Sequence, residues 1–143
     1  MVSINGLSSV FPDNKVFQHE IKDLGRKLFS SRSSFKKMEK VYDNSGVNKR
    51  YLTQELDWYL SEHNWSESNV LFKNNTISLL KKSILQTIEK TNTKPEKIGG
   101  IVFVNSTGIS TPTIDAEIFN LFGFNNQILR LPIFGYGCAG GVL

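Results

Sequence analysis

The sequence predicts a layered α/β unit, and three observations carry that prediction. A continuous apolar run at residues 98–104 follows the longest helix-periodic stretch, residues 68–91. A second apolar run, 128–134, follows a shorter helical stretch at 114–122. Both runs open into segments rich in glycine and hydroxyl residues. Apolar strands alternating with helices suit parallel strands joined by crossovers and covered on both faces, and ligands collect at the carboxyl ends of such strands.

The elements follow in order. Residues 2–10 read as a first strand on Val2, Ile4 and Val10, with Gly6 inside it. Phe11-Pro12-Asp13-Asn14 is a turn. Ile21, Leu24 and Leu28 recur at helical spacing and predict a helix over 18–29. Ser30-Ser31-Arg32-Ser33-Ser34 breaks it, and Ser34 is placed to cap a helix over 35–42. Gly46 then supplies the positive φ that ends that helix. Residues 49–52 are extended, and 53–60 form a short helix capped by Thr53. In the 68–91 helix the apolar positions are Val70, Ile77, Leu80, Ile84 and Ile88, and Pro95 lies beyond its stop. After the 98–104 strand comes the loop Asn105-Ser106-Thr107-Gly108-Ile109-Ser110-Thr111-Pro112. The 114–122 helix is closed by Gly123 and leads to the 128–134 strand.

Composition narrows the function classes. The 143 residues suit one domain, with no internal repeat and no low-complexity tail. No apolar run approaches the roughly 20 residues of a membrane span, and the N-terminus lacks a basic, apolar leader. One cysteine forms no internal disulfide, which points to a reducing cytoplasm. His19 and His63 have no ligand spacing to a partner, so no metal is expected. The net charge of +4 is unevenly spread. Lys36, Lys37, Lys40, Lys49 and Arg50 fall in one segment, which reads either as a solvated face or as a phosphate-binding patch. Nucleic acid is not expected, because no aromatic stacking pattern or known module accompanies those charges.

The sole cysteine lies in Phe134-Gly135-Tyr136-Gly137-Cys138-Ala139-Gly140-Gly141, directly after the last strand. A lone cysteine is ordinarily a small apolar core residue. Here Gly135 and Gly137 permit a strand-to-helix corner that a side chain would forbid. Gly140 and Gly141 are poor helix formers, which implies that another group packs closely there. A thiol at a helix N-terminus faces free N–H groups that favour thiolate and can steady an oxyanion. Cys138 is therefore the candidate nucleophile.

Four motifs in one order resemble a known family. They are the Ser106–Asp115 loop (Ser-Thr-Gly-Ile-Ser-Thr-Pro-Thr-Ile-Asp), the Cys138 segment, Phe11-Pro12-Asp13-Asn14-Lys15-Val16-Phe17-Gln18-His19-Glu20-Ile21, and Asp43-Asn44-Ser45-Gly46-Val47-Asn48-Lys49-Arg50-Tyr51. Together they are similar to type III polyketide synthases, the chalcone synthase-like enzymes of the thiolase superfamily, and most like the bacterial branch. The resemblance implies a thiolase-like layered fold of which residues 1–143 form an incomplete N-terminal half, a mixed sheet flanked by helices and truncated just after the nucleophile. It implies a cytoplasmic homodimeric acyltransferase that joins an acyl-CoA starter to malonyl-CoA through a cysteine thioester, with both CoA esters as substrates and no cofactor. By position Cys138 matches the nucleophile, and Lys37 and Lys40 match basic residues near the CoA phosphates. Asn44 stands where a third basic residue is common. Ser106 matches a hydroxyl residue lining the acyl cavity. Thr111 matches a loop residue that reaches the partner's cavity, and Thr111-Pro112 matches a cis bond.

The family's activating histidine and its asparagine lie downstream of the nucleophile, and His19 and His63 match neither. The expectation is that the chain alone is inactive, because thiol activation and decarboxylation both need that histidine. The helix following the nucleophile is likewise expected beyond residue 143, which leaves apolar sheet surface exposed to aggregation. Two other readings stand beside this one. One is a ketoacyl-ACP synthase III-like condensing enzyme, which the Ser-Thr-Gly-Ile-Ser-Thr-Pro loop disfavours. The other is a non-catalytic truncated or interaction piece that docks on a full-length relative.

Overall fold

The computed structural model describes residues 1–142. They divide into two compact units, one of residues 11–63 and one of residues 1–10 with 64–142. The α/β class holds, and both antiparallel and parallel strand pairing occur, in two separate two-stranded sheets.

In the 11–63 unit, β1 (Asn14–Phe17) pairs antiparallel with β2 (Lys49–Leu52), Asn14 opposite Leu52 and Phe17 opposite Lys49. Helix α1 (Gln18–Phe29) has the predicted bounds. Its first turn is closed by the Glu20 carboxylate, which accepts the Phe17 N–H at 2.7 Å. Gly25 is buried, and a Cβ there would lie 2.9 Å from the Tyr42 hydroxyl and 3.1 Å from Phe35 Cζ. A glycine is what lets α1 approach those two rings. The 35–42 helix is instead two short ones, α2 (Phe35–Met38) and α3 (Lys40–Asn44). Between them Tyr42 N–H bonds Glu39 O at 3.1 Å, a three-residue step, while the Glu39 side chain is held by Arg26. Ser34 occupies the position before α2, but its side chain caps nothing. Gly46 has φ +68° as expected. The 53–60 helix is a 3-10 helix, Leu56–Leu60, without a Thr53 cap, because Trp58 N–H and Ser61 N–H close three-residue steps onto Glu55 and Trp58.

In the other unit, α4 (Trp65–Thr91) begins three residues before the predicted helix. The signal lies in the cap rather than the apolar period: Asn64 Oδ1 accepts Glu67 N–H at 2.9 Å and Glu67 Oε2 accepts Asn64 N–H at 3.2 Å. Asn92 ends α4 in the left-handed region (φ +50°), with Thr93 N–H returning to Ile88 O. Residues 2–10 form no strand. They have no partner edge, and Gly6 instead passes so close to Thr91 that a Cβ would collide with its methyl group. The strand pair is parallel: β3 (Gly100–Asn105) beside β4 (Leu129–Phe134), with Ile101 opposite Arg130 and Phe103 opposite Pro132. Helix α5 (Ile114–Phe122) joins them and ends at Gly123, φ +60°.

Phe103, Ile114, Ile118 and Phe124 form the buried centre, against which Phe72, Ile77, Leu80 and Ile84 of α4 pack. Among the described residues the strands are covered on one face rather than both, and apolar sheet surface is left exposed, as the resemblance implied. Both helices contribute to the Ile101–Phe103 side. On the opposite side Val102, Leu129 and Leu131 are 60, 69 and 49% exposed. Only the carboxyl end of that side is covered, where Gly140 lies against Val104.

Candidate active site

The carboxyl ends of β3 and β4 carry the site. From β4 the chain turns through Gly135 (φ +89°) and Gly137 (φ +53°), the two left-handed positions that the glycine pattern implied. Gly135 N–H bonds Asn105 O at 3.1 Å and extends the ladder by one step. Gly137 N–H then donates to Ser106 Oγ at 2.8 Å. Cys138 is the second residue of a 3-10 helix, Gly137–Val142, rather than the start of an α-helix, and its thiol is free and exposed. Among the described residues its own N–H has no acceptor. Gly140 is required by close packing, since a Cβ there would lie 2.7 Å from Val104 Cγ1, whereas Gly141 has open space.

The loop beside it is built from backbone-directed side chains. Asn105 Oδ1 accepts the Thr107 N–H at 3.3 Å. Gly108 is buried against the Phe72 ring. Asn69 of α4 grips Ile109 at both ends, donating to its carbonyl at 2.8 Å and accepting its N–H at 3.0 Å. Ser110 Oγ donates to Pro112 O at 2.7 Å. The Thr111-Pro112 bond is cis, and both residues are exposed. A cavity of about 180 Å³ lies between this loop and β4, lined by Phe103, Ile109, Ile114, Pro132 and Phe134 among others.

Below the loop Asp115 is 1% exposed in the first turn of α5. Arg130 Nη1 of β4 donates to Asp115 Oδ2 at 3.0 Å, while Oδ1 has no hydrogen-bond partner among the described residues. The pair ties the helix after the loop to the strand before Cys138.

Lys37 and Lys40 belong to α2 and α3 in the 11–63 unit, and both are exposed. The basic segment is divided in its use. Lys49 lies over the Tyr51 ring and Arg50 donates to Gln18 Oε1 at 3.1 Å. The side chains of Lys36, Lys37 and Lys40 have no hydrogen-bond or ion-pair partner among the described residues. His63 stacks on Trp58 at 3.8 Å, with Nε2 2.8 Å from Trp58 O, and His19 lies against Phe17. Among the described residues no three His, Cys, Asp or Glu gather as a metal set, and no helix is long and apolar enough to cross a membrane.

Ser106 and Cys138 are thus brought together, and Thr111 and Pro112 share their loop. Asn69, Phe72 and Arg130 were not anticipated. Asn69 sits inside a helix with no periodic signal, but Arg130 is the one charge within an apolar strand, which implies a partner. Replacing Asn69 with alanine is expected to cost about 1–2 kcal/mol, the net worth of two hydrogen bonds at an exposed site where water takes over the Ile109 groups. Urea unfolding measures it, and an unchanged midpoint would show that the loop does not depend on this grip.

The chalcone and stilbene synthase N-terminal domain model matches residues 2–143. The chain belongs to that family. A Bacillus subtilis (strain 168) protein named for chalcone synthase is 32% identical over 131 residues, covering 88% of this chain and 33% of its own length. The solved 1,3,6,8-tetrahydroxynaphthalene synthase of Streptomyces coelicolor, a bacterial type III polyketide synthase, superposes with a TM-score of 0.83 at 21% identity, over 95% of this chain and 38% of that one. CsyB, solved in complex with CoA-SH, superposes with a TM-score of 0.83 at 26% identity, over 96% and 38%. The chain therefore spans a little over a third of the synthases it matches, and its fold is the corresponding part of the thiolase-like type III polyketide synthase fold. In this chain of the chalcone and stilbene synthase family, the Cys138 corner and the Ser106 loop lie side by side at the carboxyl ends of two parallel strands.

Proposed function

We propose that this chain forms the nucleophile-bearing N-terminal part of a type III polyketide synthase, an acyltransferase that condenses an acyl-CoA starter with malonyl-CoA. The observation that carries the proposal is the free, exposed Cys138 thiol on a two-glycine corner, in a chain of this family. In the reaction the Cys138 sulfur attacks the starter thioester carbonyl and CoA thiol leaves, so the starter is held on the enzyme. Malonyl-CoA loses carbon dioxide, and the resulting carbanion attacks the bound acyl group and releases the cysteine. The unclaimed Cys138 N–H supports the first step as a donor to the developing oxyanion. Lys37 and Lys40 hold the CoA phosphates. They are exposed cations whose side chains have no partner among the described residues, which leaves them open to a phosphate. Ser106 lines the acyl cavity, and the loop through Thr111 and Pro112 meets the second copy in a cytoplasmic homodimer. Residues 1–143 by themselves turn over no polyketide, because the activating histidine and the asparagine belong to the remaining part of the fold.

Bromoacetyl-CoA tests the delivery of CoA esters without that histidine. Cys138 is expected to be alkylated at least tenfold faster by bromoacetyl-CoA than by bromoacetamide, with free CoA competing. Lys37→Gln with Lys40→Gln is expected to abolish the difference. Equal rates for the two reagents would remove the CoA site from this chain, and pyrone formed from acyl-CoA and malonyl-CoA by the chain alone would overturn its predicted inactivity.

A further inference from the structure

We infer that Ser106 is a positioning residue for the nucleophile: by accepting the Gly137 N–H it fixes the left-handed corner and leaves the Cys138 N–H as the donor for an acyl oxygen. The inference rests on the reading of Cys138 as an acyl acceptor. Packing does not hold this corner: beyond the adjoining residues and the short helix's own backbone, no described residue lies within 4 Å of where a Cβ would stand on Gly135 or Gly137. A glycine at φ +53° without neighbours is free to leave that conformation. Among the described residues, the hydrogen bonds that hold it from outside the short helix's own ladder are Gly135 N–H to Asn105 O (3.1 Å), Ala139 N–H to Tyr136 O (3.2 Å) and Gly137 N–H to Ser106 Oγ (2.8 Å). The first belongs to the end of the strand ladder and the second closes the turn on itself. Among the described residues, only Ser106 bonds the corner with a side chain, from a loop 31 residues away in sequence.

The bond also sorts the donors. The amides of Gly137 and Cys138 follow one another just before the Cys138 α-carbon, and Ser106 occupies the first of them. The Gly137 N–H is spent on the loop, so among the described residues the adjacent Cys138 N–H is the amide left without an acceptor. When the Cys138 sulfur adds to a carbonyl, the carbon–sulfur bond forms and the carbonyl oxygen takes up negative charge. A fixed donor stabilises that charge, whereas an alkylation that displaces halide develops none there. Loosening the corner therefore slows acyl transfer selectively.

The experiment uses the chain itself with p-nitrophenyl acetate. The sulfur attacks the ester carbon, p-nitrophenolate leaves, an acetyl thioester remains on Cys138, and the thiol proton passes to buffer. Cys138→Ala provides the blank for other nucleophiles. Ser106→Ala is expected to lower Cys138-dependent p-nitrophenolate release about tenfold while changing iodoacetamide alkylation less than about twofold, and Ser106→Thr, which keeps the acceptor oxygen, is expected to restore acylation. Gly137 amide exchange, read by NMR, should accelerate in the alanine variant alone. Acylation as fast in Ser106→Ala as in the parent would overturn the inference and leave Cys138 as the acyl acceptor. Parallel loss of acylation and alkylation would also overturn it, reducing Ser106 to a residue needed for folding. A parent chain no faster than the Cys138→Ala blank would overturn the reading of Cys138 itself, and the inference with it.

Discussion

Replacing Arg130 with methionine is expected to lower the stability of the 64–142 unit by about 3–5 kcal/mol, the range for a buried ion pair stripped of one partner. Asp115 is 1% exposed, and among the described residues its Oδ1 is unpaired and Arg130 supplies the hydrogen bond to Oδ2. Methionine keeps the stem's volume and its contact beside Phe119, so the loss reports the stranded carboxylate rather than a cavity. The reciprocal change is expected to be milder. Asp115→Asn leaves a guanidinium whose side chain is already 38% exposed and readily hydrated, at about 1–2 kcal/mol. Denaturant unfolding of the two variants measures the asymmetry. Equal losses would mean that Asp115 finds water or another donor, and that the strand-to-helix tie is weaker than its geometry implies.

Gly108→Ala is expected to be the second large effect, at about 1–3 kcal/mol from overpacking. The new methyl would meet the Phe72 ring along its edge, with Cε1 at 2.7 Å and two ring carbons closer still. Phe72 packs on the Phe103–Ile118 cluster, so it cannot swing away without opening the core. If the clash is the cause, Phe72→Leu, destabilising alone, should recover much of the loss in the double variant. Additive losses would place the fault in the Gly108 backbone instead. Gly141→Ala serves as the matched control: it has open space and is expected to stay within about 0.5 kcal/mol of the parent.

These cases show what was legible in the sequence. Helices α1 and α5 appeared at their observed bounds because apolar period and terminator agreed: Ile21, Leu24 and Leu28 before the serine break, and Gly123 after α5. The start of α4 was misjudged because the first apolar mark, Val70, lies a full turn inside a helix whose cap is Asn64. Residues 2–10 carry strand composition, yet a strand exists only where another edge accepts its hydrogen bonds, and that depends on the whole fold. At the site, Gly135, Gly137 and Gly140 announced a tight corner, and the corner is there. The link from Ser106 to Gly137 and the grip of Asn69 on Ile109 were not legible, since each joins residues 31 or 40 positions apart through side chains common at any surface.

The bare side of the parallel strand pair has a consequence in the cell. Val102, Leu129 and Leu131 offer a continuous greasy strip of the kind that holdase chaperones bind and quality-control proteases survey. Wherever that strip stays uncovered, the polypeptide is expected to be drawn into that surveillance, and covering it is expected to lengthen its survival.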